Sequence, residues 1–185
     1  MWNIAVFIGF TLILGYISRA SLLDRHSHGF YRFFAWEAIL ALIMLNMPVW
    51  FRNGLAWYQI ISWFLLILCI LPLVFGVYYL KSRGSPDKDK RSESPLLGFE
   101  RTTVLVTSGI YHFIRHPLYS SLLLLDWGVF FKEPSLLGVL LAITATFFLI
   151  LTAKADETKC LRTFGKEYQD YMKTTKRFIP LFFLI

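Results

Sequence analysis

Charged residues are scarce in this chain. Asp, Glu, Lys and Arg make up 17% of the 185 residues, whereas hydrophobic residues make up 56%. Soluble domains usually contain about 25% charged residues, so this composition indicates a membrane protein. A bilayer core about 30 Å thick requires about 20 apolar residues for each helical span. Spans and their connections therefore account for most of the sequence.

Cysteine is also scarce, since the chain has only Cys69 and Cys160. Cys69 lies inside an apolar run and Cys160 in a polar segment, so the pair lacks the spacing of a disulfide framework. The four His residues lack the spacing typical of metal ligands. We predict neither a disulfide nor a metal site.

Acidic residues are too few to balance the basic ones, and the formal net charge is +7. Such a balance can indicate nucleic-acid binding. In a chain this apolar, the anionic cytoplasmic leaflet of a bilayer is the expected partner instead. We therefore expect a lipid bilayer as partner, with no nucleic acid and no obligate protein partner.

Five hydrophobic runs predict about five helical spans. The first run lacks a basic n-region and a small-residue cleavage site, which favours a retained span over a signal peptide. Pro72 lies inside the third run and should kink it rather than end it. The fourth run is short and forms a helical hairpin with the fifth. The runs cover residues 2–17, 31–51, 56–80, 118–131 and 135–153.

The hydrophobic pattern divides the chain into three regions. Residues 1–80 form an N-terminal transmembrane region of three spans, and residues 81–102 form a polar cytoplasmic loop. Residues 103–185 contain the hairpin and a tail whose apolar residues recur at helical spacing from Cys160 to Met172. The other faces of this tail are cationic, which is typical of an amphipathic helix lying on the membrane surface. The predicted fold is all-α and polytopic, with a C-terminal interfacial helix.

The distribution of Lys and Arg predicts the orientation in the membrane. Of the 19 Lys and Arg residues, all except Arg52 and Lys132 fall in the first loop, the third loop or the C-terminal tail. Because cytoplasmic loops carry the excess of Lys and Arg, the N-terminus should lie outside and the C-terminus inside. The protein is predicted to be a multi-pass integral membrane protein.

Two polar segments lie at the predicted inner face. The first places Arg115, His116 and Tyr119 at the start of the helix that Pro117 begins. A helix N-terminus with hydrogen-bond donors and aromatic rings suits a polar, partly anionic ligand. An interfacial anchor of aromatic and basic residues is the alternative interpretation.

The second polar segment is Asp156-Glu157, at the end of the fifth span. These two acids could instead lie in a solvent-exposed helical turn and pair with Lys154 or Lys159. They would then have no functional role. The hairpin, however, brings both polar segments to the same side of the membrane. We therefore expect one ligand pocket at the inner face.

Four motifs in the C-terminal region occur in a characteristic order. They are Gly109-Ile-Tyr111, Arg115-His-Pro-Leu-Tyr119, the segment from Asp156 to Gly165, and Tyr168-Gln-Asp-Tyr171. Together they resemble the membrane-embedded isoprenylcysteine carboxyl methyltransferase and phospholipid methyltransferase superfamily. The resemblance covers roughly residues 103–180, so we interpret the third region as methyltransferase-like.

The resemblance implies S-adenosyl-L-methionine as the methyl donor. By position in the motifs, Asp156 corresponds to the acid at the cofactor, where the family usually has Glu. The implied cofactor-binding residues are Thr103, Val104, Leu105, Val106, Tyr111, His116, Pro117, Leu118, Tyr119 and Asp156.

The methyl acceptor is less clear from the resemblance. Prenylcysteine methyltransferases have an Arg that binds the substrate carboxylate at the position of Thr152 here. Lys154 or Arg115 could substitute for it, although neither offers the same forked geometry at that place. A carboxylate needs only a positioning cation, whereas an amine also needs a proton acceptor such as Glu157 or His116. We therefore predict Glu157 and Arg115 as catalytic residues, and Lys154 and Thr152 as substrate-binding residues.

The leading hypothesis is a methyltransferase that acts at the cytoplasmic face on a lipid or lipidated acceptor. A prenylcysteine-type carboxylate is the leading candidate for that acceptor. A phospholipid amine N-methyltransferase is the first alternative. The second is an NADPH-dependent enzyme like the membrane sterol reductases, although these typically have Asn where this chain has Leu118. A non-enzymatic membrane scaffold is the third, and it leaves the ordered motifs unexplained.

Overall fold

The computed structural model describes residues 2–84 and 102–179, with side chains from residue 5 onward. Most of the predicted polar loop 81–102 and the last six residues of the chain lie outside this range. The described part contains seven α-helices and two short 3-10 helices, at Met47–Val49 and Gly109–His112. The α-helices are α1 (Trp2–Leu22), α2 (His28–Asn46), α3 (Trp57–Leu68), α4 (Ile70–Arg83), α5 (Pro117–Phe130), α6 (Leu136–Phe164) and α7 (Lys166–Thr174).

The long helices pack side by side in an antiparallel bundle. Helix α2 packs along α6, α1 packs on α2, and both α3 and α4 pack on α5. We use "site end" for the end of the bundle where α2 and α5 begin and α4 and α6 end. The "far end" contains the end of α2, the start of α3 and the turn between α5 and α6.

The polytopic prediction is confirmed. Four segments of the described chain are long and apolar enough to cross a membrane, namely Ala5–Leu22, His28–Val49, Trp57–Arg83 and Leu136–Phe164. Helix α5 has 14 residues and is too short to be among them. It corresponds to the short fourth run of the sequence and forms the expected hairpin with α6.

Near Pro72, where the sequence predicts a kink, the helix is interrupted at Cys69. Helix α3 ends at Leu68 and α4 begins at Ile70, with Cys69 between them. The ring of a proline clashes with the carbonyl four residues earlier, which here belongs to Leu68. The two helices nevertheless continue as one apolar segment from Trp57 to Arg83.

The C-terminal tail differs in its helix boundaries from the prediction. Helix α6 continues past Ala153 to Phe164, and the chain turns at Gly165, which has a φ of 56°. The predicted amphipathic helix is therefore divided between the last turns of α6 and the nine-residue α7. The physical reason is that a helical residue cannot adopt this left-handed φ, which glycine tolerates at low cost.

Small residues let α2 and α6 approach each other closely. Ala145 of α6 packs against Ala38 of α2, and Ala142 packs against Leu42 one turn further along α2. Small side chains at such positions allow close backbone approach, which is how helices commonly associate in membranes.

The far end is held together by a buried lysine. Lys132, in the turn between α5 and α6, is fully buried, and its Nζ lies 3.5 Å from the centroid of the Trp63 ring. The same amine donates to Gln59 Oε1 at 3.2 Å, and Gln59 Nε2 donates to the Lys132 carbonyl at 2.8 Å. A desolvated cation over an aromatic face stabilises by about 2 kcal/mol. This contact joins the hairpin turn to the start of α3 and helps to fix the register of α5 and α6.

Candidate functional site

An open pocket lies at the site end, between the start of α5, the last turns of α6, α7 and the segment 102–116. It encloses about 730 Å³, including solvent at its mouth. Most of the predicted cofactor-binding residues line it, namely Leu105, Val106, Tyr111, His116, Pro117, Leu118, Tyr119 and Asp156.

The backbone before α5 is held by the segment that follows α7. The amide of Arg115 donates to the Lys176 carbonyl at 2.8 Å, and the amide of His116 donates to the Arg177 carbonyl at 3.1 Å. Ser120 Oγ donates to the Phe178 carbonyl at 2.8 Å. These bonds fix the position from which the side chains of Arg115 and His116 project.

Gly109 allows the preceding turn to pack closely on α4. Its φ is 64°, and a Cβ atom at this position would lie only 2.1 Å from the ring of Tyr79. Glycine therefore meets both the conformational and the steric requirement. The turn places Tyr111 in the pocket, with its hydroxyl 3.4 Å from the Gly76 carbonyl of α4.

An acid and two rings meet in the pocket. His116 stacks on Tyr119 with a centroid distance of 5.3 Å and an interplanar angle of 20°. Asp156 Oδ2 lies 3.6 Å from His116 Nδ1 and 3.4 Å from the Tyr119 hydroxyl. A carboxylate beside aromatic faces is an environment that attracts cationic ligands.

Helix α7 adds two buried tyrosines to the wall. Burial raises the pKa of both Tyr168 and Tyr171 above the ordinary value, so their hydroxyls stay protonated at neutral pH. The hydroxyl of Tyr171 donates to the Tyr111 carbonyl, which joins α7 to the turn at Gly109. Both side chains are therefore hydrogen-bond donors, and neither is a proton acceptor at neutral pH.

Glu157 lies behind the pocket between two arginines. Its Oε1 accepts from Arg115 Nε at 3.0 Å, and its Oε2 accepts from Arg177 Nη2 at 2.7 Å. Arg115 Nη1 also donates to the carbonyls of Met172 and Thr175. The Glu157 side chain is only 6% exposed. The ion pairs therefore occupy the polar groups of Glu157 and much of the Arg115 guanidinium.

The remaining predicted residues do not line this pocket. Thr103 and Val104 lie in the same segment outside its wall, and Val104 is 51% exposed. Thr152 is fully buried in α6, and its hydroxyl donates to the Phe148 carbonyl. Lys154 lines a second pocket on another face of α6. The roles given to these residues from sequence stay predictions.

Several lining residues were not among the predicted site residues. Tyr168 and Tyr171 were part of the fourth motif, so their regular spacing with Phe164 could have indicated a shared helical face. His28 comes from the distant start of α2. Nothing in its local sequence indicates this position, because only the packing of α2 on α6 brings it to the pocket.

Comparison with known proteins agrees with the motifs. Residues 90–170 match the model of the family described as phospholipid methyltransferase. A methanethiol S-methyltransferase from Pseudomonas deceptionensis is 27% identical over 90 residues, which are 49% of this chain and 32% of that relative. The match thus spans about a third of the length of that relative. No solved structure matches the chain. The resemblance to the methyltransferase superfamily is confirmed for the C-terminal half.

Replacing Glu157 by Gln should destabilise the protein by about 3 kcal/mol, because it leaves two buried guanidinium groups without a counter-charge. Thermal unfolding of the purified protein in detergent measures this effect. Asp170→Asn is the matched control, since Asp170 pairs with Lys173 at the surface, where ion pairs contribute little. An unfolding midpoint of Glu157→Gln equal to that of the control would contradict the structural role of this network.

Proposed function

Because residues 90–170 resemble the phospholipid methyltransferase family, we propose that this protein is a membrane-embedded methyltransferase that uses S-adenosyl-L-methionine. The proposed donor site is the pocket at the site end. The observation that carries the proposal is the convergence of Asp156, His116 and Tyr119 in a pocket lined by the motif residues.

The chemistry of the lining residues fits this donor. The donor supplies a methyl group on a positively charged sulfur, which leaves as a neutral thioether without needing an acid. Aromatic faces and the Asp156 carboxylate attract positive charge, so they favour binding of the donor over its neutral product. Leu105, Val106 and Phe164 provide an apolar wall that excludes water from the reacting groups.

Arg115 and Glu157 are better explained as positioning residues than as catalytic ones. Both oxygens of Glu157 accept charge-assisted hydrogen bonds, which opposes uptake of a further proton. Arg115 uses its guanidinium to hold Glu157 and the end of α7. We propose that the pair keeps His116 and Asp156 in place.

The same arrangement bears on the acceptor. Among the described lining residues, Arg115 is the only Lys or Arg, and its guanidinium already pairs with Glu157. A carboxylate acceptor would therefore lack a free cation, which argues against a prenylcysteine-type substrate. We propose a thiol as the acceptor, as named for the relative from Pseudomonas deceptionensis. A phospholipid amine is the second candidate, because residues 90–170 match the phospholipid methyltransferase family.

A thiol must lose its proton as its sulfur takes the methyl group. The His116 side chain is buried between two acids, with Nε2 3.4 Å from Glu157 Oε1 and Nδ1 3.6 Å from Asp156 Oδ2. We propose that an unprotonated ring nitrogen of His116 takes the thiol proton as a general base. The products are then a thioether and the demethylated donor.

Asp156→Asn should weaken binding of S-adenosyl-L-methionine about tenfold or more, because the neutral amide no longer attracts the positively charged donor and a loss of about 1.4 kcal/mol corresponds to tenfold in affinity. Calorimetric titration of the purified protein in detergent measures the dissociation constant. Asp170→Asn changes the same functional group on exposed α7 and should bind like the unmodified chain.

Equal affinity of Asp156→Asn and the unmodified chain would contradict the proposed donor site. Binding of NADPH in place of S-adenosyl-L-methionine would favour the reductase alternative, and binding of neither would favour the scaffold. Labelled donor supplied with methanethiol, a phospholipid amine or a prenylcysteine then distinguishes the acceptors. We expect labelled product from the thiol and none from the prenylcysteine.

We also propose that the site end faces the cytoplasm, with the N-terminus outside. The support is that the two basic residues outside the predicted cytoplasmic loops and tail lie away from the site end. Lys132 lies at the far end, and Arg52 lies between α2 and α3. A fluorescent reporter that folds only in the cytoplasm should be active when fused after the last residue. A second reporter, which folds only outside the cytoplasm, is fused at the same position and should be inactive. Its activity there would contradict this orientation.

A further inference from the structure

A second pocket lies on the face of α6 that points away from the donor site. It is formed by the last turns of α6 and the junction between α1 and α2, and it encloses about 890 Å³, including open solvent. Residues of α6 at positions 151, 154, 155, 158, 159 and 162 line it, whereas positions 156, 160 and 164 line the donor pocket. At 100° per residue, these two sets lie on opposite faces of the helix.

The charge of this second pocket is strongly positive. Lys154, Lys159 and Arg162 line it, and Asp24 is the only acid among the described lining residues. The Oδ1 atom of Asp24 accepts from the backbone amide of His26 at 3.0 Å. Neither Lys154 nor Arg162 forms an ion pair with any described residue. Two of the lining cations, Lys154 and Arg162, therefore have no ion-pair partner within the described part of the chain.

The polarity of the pocket changes along α6. Leu151 and Ala155 are half-buried and lie toward the apolar part of the helix. Lys159 and Arg162 follow one to three turns later, near its polar end. Basic pockets between transmembrane helices, where the apolar segment gives way to cations, suit a phosphate group with hydrocarbon below it.

We propose that this basic pocket binds the phosphate group of an anionic ligand, with an anionic phospholipid headgroup as its natural source. Lys154, Lys159 and Arg162 contact the phosphate, and Leu151 contacts the adjoining hydrocarbon. Lys154 thus serves this pocket, and not the methyl acceptor. The inference does not depend on methyl transfer.

The site also has a structural consequence for the donor pocket. His26 and Ser27 line the basic pocket, whereas His28, the next residue along the chain, lines the donor pocket. An anion that joins the α1–α2 junction to α6 therefore stabilises the segment that carries His28. Loss of the anion leaves Lys154 and Arg162 side by side on one wall of the pocket without a counter-charge.

Calorimetric titration of the full-length protein in a neutral detergent tests the proposal. The probes are short-chain phosphatidylglycerol, phosphatidylcholine of the same chain length, and inorganic phosphate. The pocket variant is Lys154→Gln with Arg162→Gln. The control is Lys166→Gln with Lys173→Gln, which removes the same charge from exposed positions of α7 outside the pocket.

We expect saturable binding of phosphatidylglycerol that is weakened at least about tenfold in the pocket variant and less than twofold in the control. Binding of inorganic phosphate with the same dependence on the pocket also supports the site and identifies a soluble source. Three results would overturn the proposal: equal binding of phosphatidylcholine and phosphatidylglycerol, unchanged affinity in the pocket variant, or no binding of any probe. An unfolding midpoint of each variant close to that of the unmodified chain shows that each is folded.

Discussion

The buried carboxylate of Glu157 is the interaction on which the site depends. It pairs with Arg115, which precedes α5, and with Arg177, which follows α7. Three segments far apart in sequence are thus joined at one group at the end of α6. Burying charge is costly unless each partner is matched, so these segments have a strong preference for this single arrangement. The positions of His116, Tyr119 and Asp156 follow from it.

Helix α6 is the common wall of both pockets, and its register is fixed at the opposite end of the bundle. The buried amine of Lys132 contacts Trp63 and Gln59, and small residues bring α2 against α6 along its length. A shift of one residue in α6 would rotate it by about 100°. Asp156 would then leave the pocket at the site end. Contacts at the far end therefore help to hold the residues of the site-end pocket in place.

The spans, the hairpin and most of the residues that line the pocket at the site end could be predicted from the sequence. Apolar runs and spaced motifs report directly on these features. The length of α6 could not be predicted in this way. The change to polar residues after Ala153 suggested that the helix ends there, whereas the helix continues and only its polarity changes. Once α6 is known to be continuous, Lys154 and Asp156 fall on opposite faces. The contribution of His28 and the pairing of Glu157 with Arg177 depend on tertiary packing, which local patterns do not contain.

The central claim is that a methyl donor binds at the site end against Asp156, His116 and the tyrosines of α7. Hydrogen–deuterium exchange of the purified protein, with and without S-adenosyl-L-methionine, tests it most directly. The account predicts slower exchange in residues 105–119 and 156–171 when the donor is present, and unchanged exchange at the start of α3 and in the α5–α6 turn. Slower exchange at the far end alone, or no change anywhere at a saturating donor concentration, would contradict it.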